Sequence, residues 1–369
     1  MIYLDSAATS FQKPQSVLAA VERTLKTASS PGRGAYGAAM RASSVLLETR
    51  ETGAVFFNFP DPERIVLTMN ATHALNMAIR SLAKEGSRVV ISGFEHNAVV
   101  RPLYAGKAEL RVAGKRLFDE EELLAAFEKE LPGSQLAVCT HVSNAFGYIL
   151  PIKEISSLCE RNGVPLILDA SQSAGVLELD LSRIKTAFTA MPGHKSLLGI
   201  PGSGLLFCSA ETVPLLFGGS GADSVNREMP DYLPDRLEAG TQNAPAAAAL
   251  TAGMRYILAH DREKIEEHEK QLCRHMIELL SKRSEIELFA SSPKNQSGVL
   301  SFRVRGYGCE EIAERLAERG ICVRSGLHCA PLAHESAGTL ASGTVRMSFS
   351  PFNTHAEIEK SAAALIKII

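Results

Sequence analysis

From about residue 64 the chain alternates short apolar, β-branched runs with longer stretches of helical periodicity. RIVLT (64–68) precedes the helix-like ATHALNMAIRSLAK, and SRVVIS (87–92) precedes NAVVRPLYAG. LAVCTHV (136–142) leads into PIKEISSLCERNG, where Pro151 marks a helix start and Gly163 its stop. VPLILDAS (164–171) and KTAFTAM (185–191) follow as further strands. These strands are almost wholly apolar rather than alternating. Joined through helices, strands of that kind predict a mostly parallel α/β sheet covered on both faces.

A Gly-rich stretch at 199–207 turns into a strand, and 218–243 reads as loop. One long helix over roughly 245–282 then leads into a second pattern. It runs strand GVLSFRV, helix CEEIAERLAERG, strand ICVRS, a loop, strand TVRMSFS, and a last helix from about 354. This predicts a smaller α+β domain, with the boundary near 245–260. The expected division is a large α/β domain over 15–250 and a small domain of 1–14 plus 251–369. A chain of 369 residues suits that division.

Composition narrows the picture mainly by exclusion. Apolar residues at 45% and charged residues at 22% match an ordinary globular protein. The net charge is −2 and no basic stripe is interleaved with aromatics, so no nucleic-acid partner is expected. The opening MIYLDSAATSFQKP has neither a basic nor an apolar targeting region. No run approaches membrane-spanning length, so a cytoplasmic location without a membrane partner is expected. Seven cysteines with no CxxC pair argue against a disulfide framework or a zinc ribbon. His260, His268, Cys273 and His275 share a charged helical stretch without metal-ligand spacing, so no metal site is expected.

Candidate chemistry collects at strand ends. Asp169 closes the run VPLIL, and Lys195, in MPGHKS, lies just past the next predicted strand. In an open α/β sheet, ligands bind beyond the carboxyl ends of the strands, which brings the two to one crevice. A lysine that forms a Schiff base and an acid that keeps a pyridine nitrogen protonated fit a pyridoxal 5′-phosphate (PLP) site. The turn TMNATHALN opens a helix after a strand, so its amides with Ala71 and Thr72 suit a phosphate. A plain N-cap is the commoner use of such a turn. His96, after the strand before EHNAVV, suits ring stacking or proton relay, although a lone strand-end histidine is more often structural. GIPGSG has the wrong order for a dinucleotide loop, and His194 interrupts the P-loop-like GHKS.

Cys329 stands apart from the other cysteines. RSGLHCAP places it in a Gly- and Pro-containing loop beside His328 and near Arg324, a setting that favours an accessible thiolate. Cys139, Cys159, Cys208, Cys273 and Cys322 sit in apolar patterns and are expected in the core, while Cys309 is ambiguous.

The ordered set YLDSAATSFQKP, PGRG, EHNAVVRP, THVSNAFG, LDASQSAG, GHKSLLG, LEAGTQN and RSGLHCAPLAH…GTVRMSFSPFNT resembles the class V aminotransferase-fold cysteine desulfurases nearly end to end. The short Cys loop is most similar to group II desulfurases and selenocysteine lyases. The resemblance implies a fold-type I PLP enzyme, a homodimer with sites at the subunit interface, acting on L-cysteine and passing sulfur to a protein acceptor. It implies Lys195 as the Schiff-base lysine, His96 stacked on the ring, Asp169 at the pyridine nitrogen and Gln172 at the phenolic oxygen. Ala71, Thr72 and His194 would serve the phosphate, joined by Thr241 from the other subunit. Asn144, Arg346 and an incoming Arg33 would take the substrate carboxylate, and Cys329 would carry the persulfide. Where the family usually has Ser or Thr before GHK, this chain has Pro192, which lacks both hydroxyl and N–H. A selenocysteine lyase, another class V aminotransferase and a catalytically silent sulfur-transfer scaffold are the competing readings.

Overall fold

The computed structural model describes residues 1–32, 34–221, 224–291 and 294–369. A short strand β1 (Ile2–Tyr3) and helices α1 (Gln15–Thr27) and α2 (Gly37–Phe56) precede the first βα units. Those units are β2 (Ile65–Thr68), α3 (Ala71–Leu82), β3 (Arg88–Ser92), α4 (Asn97–Ala105), β4 (Glu109–Ala113) and α5 (Glu120–Glu130). Then come β5 (Leu136–Thr140), α6 (Ile152–Arg161), β6 (Leu166–Asp169), β7 (Phe188–Pro192) and β8 (Gly204–Cys208). The seven strands lie in the order β2-β8-β7-β6-β5-β3-β4. Neighbours from β7 to β4 pair in parallel, and β8 alone runs antiparallel to both its neighbours.

Alternate residues of each strand face opposite helical layers. Val90, Ala137 and Leu168 pack with Leu123, Phe127 and Ile155 of α5 and α6. Val89, Val138 and Ile167 pack with Leu75, Ala78 and Val99 of α3 and α4. Burial on both faces is why these strands lack a polar alternation. Their parallel pairing puts the carboxyl ends of β3, β5, β6 and β7 along one edge.

The remaining elements are α7 (Ala244–Ala259), α8 (Arg262–Leu280), β9 (Ile286–Phe289), β10 (Val299–Val304), α9 (Cys309–Ala317), β11 (Ile321–Cys322), β12 (Arg324–Gly326), α10 (Pro331–Ser336), β13 (Thr344–Ser348) and α11 (His355–Ile368). A four-stranded antiparallel sheet of order β12-β13-β10-β9 is backed by a second core containing Leu4, Leu272, Phe302, Ile312 and Leu365. The single helix expected over 245–282 is two. Asp261, at φ +64°, breaks it and caps α8 by accepting the Glu263 N–H at 3.1 Å. The expected strand ICVRS also divides, Ile321–Cys322 pairing with β1 and Arg324–Gly326 with β13.

Five cysteines, including Cys309, are buried; Cys322 is only half-buried, because its short strand lies in a two-stranded pairing. Cys329 is exposed. Among the described residues no helix is long and apolar enough to cross a membrane.

Candidate active site

Asp169 is the last residue of β6, and Lys195 lies in the turn after β7. A cavity of about 190 Å³ opens at this edge of the sheet, lined by Ala71, Thr72, His96, Asn144, Asp169, Gln172, Pro192, His194 and Lys195. Nine residues picked out from the sequence therefore meet in one place. Asn70 caps α3 by accepting the His73 N–H at 2.9 Å, so the helix start that carries Ala71 and Thr72 points its end amides to this cavity. A larger cavity of about 640 Å³ lies at the opposite, amino-terminal edge, where Leu166 begins β6 and Ala187 precedes β7.

Burial sets the charge states. It holds Lys195 down, to about 8, against the pull of Asp169 and helped by the guanidiniums of Arg346 and Arg324. Asp169 is itself buried, and its carboxylate accepts the Ser171 N–H at 2.9 Å. His96 caps α4: its Nδ1 accepts the Ala98 N–H at 3.0 Å, which leaves the ring proton on Nε2. Burial lowers His96 to about 4, so its imidazole is neutral. His194 is likewise held to about 4 by burial and by Lys195 and Lys13.

The thiol sits on a different kind of support. His328 and Cys329 both have left-handed backbones, with φ of +50° and +58°. Asn97 N–H donates to the Cys329 carbonyl at 2.7 Å, and the Asn144 amide donates to the His328 carbonyl at 2.7 Å. Arg324 Nη2 stands 3.8 Å from Cys329 Sγ. Arg346 lies behind this loop on β13, 1% exposed, and donates to the Asn144 backbone carbonyl at 2.9 Å. Thr241 lines a neighbouring cavity of about 550 Å³ that shares Asn70 and His194 with the first. Arg33 lies outside the described residues.

Several contributors had no role in the sequence reading. Glu95, fully buried, accepts from the Ser92 hydroxyl at 2.5 Å and the Thr140 N–H at 2.7 Å. Burial pushes it up to about 8, against those hydrogen bonds and helped by Asp169. The segment from Asp5 to Lys13 also runs over the site. Gln172 donates to the Ala7 carbonyl at 3.0 Å, and Thr9 Oγ1 lies 3.0 Å from His194 Nδ1. Ser10 Oγ donates to the carbonyls of His194 and Lys195 at 2.9 and 3.0 Å. Lys13 donates to the carbonyls of His194 and Gly199. The signal was the motif YLDSAATSFQKP, which marked a family without assigning these residues work.

A βα sheet with a lysine and a carboxylate at its carboxyl edge, and a cysteine loop across from them, is the arrangement of a PLP-type transferase. The chain belongs to the aminotransferase class-V family, whose model matches residues 2–360. It is 33% identical over 387 residues to a probable cysteine desulfurase of Pyrococcus abyssi, covering 100% of this chain and 94% of the relative. A cysteine desulfurase of Synechococcus elongatus is 33% identical over 388 residues, with 100% of this chain and 60% of that relative covered. Among solved structures, the apo cysteine desulfurase of Thermococcus onnurineus superposes with a TM-score of 0.92 at 31% identity, covering 100% of this chain and 94% of that one. Relatives of this kind imply PLP in general terms.

Proposed function

We propose that the chain is a PLP-dependent cysteine desulfurase that moves sulfur from L-cysteine onto Cys329 and releases L-alanine. The observation that carries this reading is one crevice lined by a half-buried lysine and a buried carboxylate, with a loop beside it that carries an exposed thiol. The donor set suits PLP. Lys195 would bind it covalently, Asp169 would hold the ring nitrogen protonated, and Gln172 would donate to the phenolic oxygen. Ala71, Thr72 and His194 would serve the phosphate, with Thr241 from a partner subunit in a homodimer. The domain division we propose is 15–250 against 1–14 plus 251–369.

Bound PLP supplies an electron sink that lets the substrate α-proton leave and weakens the Cβ–S bond. Lys195 takes the α-proton: with its amine held near 8 by burial, a useful fraction is neutral at near-neutral pH. His96, neutral with its proton on Nε2, would face the cofactor ring without adding a competing charge. Arg346 and Asn144, joined by Arg33 from a partner subunit, would hold the carboxylate, for which a guanidinium fork is well matched. The Cys329 thiolate attacks the substrate sulfur. An S–S bond forms, the Cβ–S bond breaks, and its electron pair stays with the three-carbon fragment. That fragment takes up one proton at Cβ and regains one at Cα from Lys195, and leaves as alanine, while a protein acceptor collects the persulfide sulfur.

The test is alanine and sulfide release from L-cysteine, with a thiol reductant present to free the persulfide sulfur, by wild type and Cys329→Ala, with the cofactor absorbance band recorded in both. We expect the band in both and cysteine turnover in wild type only. Undiminished turnover in Cys329→Ala removes the persulfide step. Absence of a band after PLP is added removes the enzyme reading altogether.

A further inference from the structure

Arg346 is a buried cation with an incomplete set of partners. A guanidinium has five N–H donors. Here Nη1 donates to the Asn144 carbonyl at 2.9 Å and Nη2 to Asp5 Oδ1 at 2.6 Å. Nε is buried and finds no partner among the described residues. A buried donor left unmade is costly, so its persistence points to a ligand that completes it. Burial lowers the Arg346 pKa, and Asp5 is the foremost opposing influence.

Asp5 is well placed to act on this one side chain. Arg346 and Ser348 are two apart on β13 and so share a face of the sheet. Ser348 pins the opening segment on both sides of Asp5: its N–H donates to the Leu4 carbonyl at 2.8 Å, and its hydroxyl accepts the Ala7 N–H at 2.8 Å. The carboxylate is thereby carried to Arg346 on a fixed backbone rather than on a free tail.

We propose that Asp5 is a positioning residue for substrate: it fixes the Arg346 guanidinium so that the remaining N–H donors meet an amino-acid carboxylate. The inference rests on the assignment of Arg346 to that carboxylate. Asp5 acts on the substrate carboxylate through the arginine it holds. Substrate cysteine and product alanine carry the same α-carboxylate, so Asp5 governs the binding of both.

The experiment is L-alanine affinity, measured by calorimetry on the holoenzyme, which needs no turnover. It is made on wild type, Asp5→Ala, Asp5→Asn, Arg346→Ala and the Asp5→Ala/Arg346→Ala double variant. Small misplacements of positioning groups cost up to about a hundredfold, so we expect at least about a tenfold weakening in Asp5→Ala. Asp5→Asn, which keeps the volume and one acceptor, weakens binding less and carries the test if the alanine variant does not fold. In the Arg346→Ala background, loss of Asp5 adds nothing further. Unchanged affinity in both Asp5 variants overturns the inference, as does a full additional loss in the double variant, which would mark a structural role. A wild type that binds L-alanine but makes none from L-cysteine defeats the desulfurase reading and leaves the Asp5 result to be read on its own.

Discussion

The two walls of the crevice are built on opposite principles. On the cofactor side, Asp169 ends a strand buried at every residue, and the turn bearing Lys195 is closed on itself. Gly193 N–H donates to the Ser203 carbonyl and Gly199 N–H to the Gly193 carbonyl, both at 2.8 Å. Ser10 and Lys13 hold the same turn from outside. On the thiol side, two adjacent residues with β-carbons occupy left-handed backbone, against Leu198 alone in the Lys195 turn, at roughly 1–2 kcal/mol each. A few hydrogen bonds keep that loop in place. The base and its acid are thus set in the sheet and the turn that follows it, whereas the thiol rides on an exposed position of a loop tethered by Asn97 and Asn144. A nucleophile that must reach a substrate sulfur and then present it elsewhere suits the second kind of support.

The largest effect should come from emptying the rigid wall of its amine. Lys195→Met is expected to lower kcat with L-cysteine by at least about 10²–10⁴-fold, the usual range for a positioned acid–base group. The same variant tests the electrostatics. The folded-state pKa of Lys195 is held at about 8, against 10.5 for an unperturbed lysine. Between those values the unfolded chain binds more protons, so stability due to this group rises with pH. Cofactor-free Lys195→Met should therefore exceed wild type in thermal midpoint most clearly below pH 8, with the gap closing toward pH 10.5. A gap that stays constant over that range would show that Lys195 is not a desolvated ammonium.

A smaller effect is expected across the crevice. Among the described residues the Asn144 side-chain amide donates only to the His328 carbonyl, so Asn144→Ala removes one tether of the thiol loop and leaves the backbone bond to Arg346 intact. A net hydrogen bond contributes about 0.5–1.5 kcal/mol. Hydrogen exchange at the Ala330 amide, which donates to Leu327 within the loop, should quicken roughly two- to twelvefold. Exchange at the Gly199 amide should not change. Equal quickening at both would erase the distinction between the walls.

The contrast also explains what could be read in advance. Asp169, Lys195 and Thr72 sit where a strand ends or a helix starts, and such junctions show in the pattern of apolar runs. The pairing of Asp5 with Arg346 spans 341 residues and leaves no local trace. The break at Asp261 hides because helix-forming sequence continues on both sides of it, and only a backbone at φ +64° marks the turn. Strands β4 and β9 escaped notice for a related reason. They lie at sheet edges and are largely half-exposed, so neither carries an unbroken apolar run.

Pro192 offers the finest adjustment of the rigid wall. It is the last residue of β7, lines the cavity and pairs with Gly204 of β8. That neighbour leaves no slack: a Cβ on Gly204 would stand 2.8 Å from the Met191 carbonyl and 2.7 Å from Thr68 Oγ1. The ladder therefore holds residue 192 in place, and changing its side chain should alter the cavity more than the strand. Proline brings no hydroxyl to the cavity, whereas serine adds one. One added hydrogen bond contributes about 0.5–1.5 kcal/mol, so Pro192→Ser should tighten PLP binding roughly two- to twelvefold. PLP titration of the cofactor-free protein, followed by absorbance, reads this directly. Unchanged affinity would mean that the amides at the start of α3 and the His194 side chain already satisfy the phosphate, and that the proline costs the site nothing.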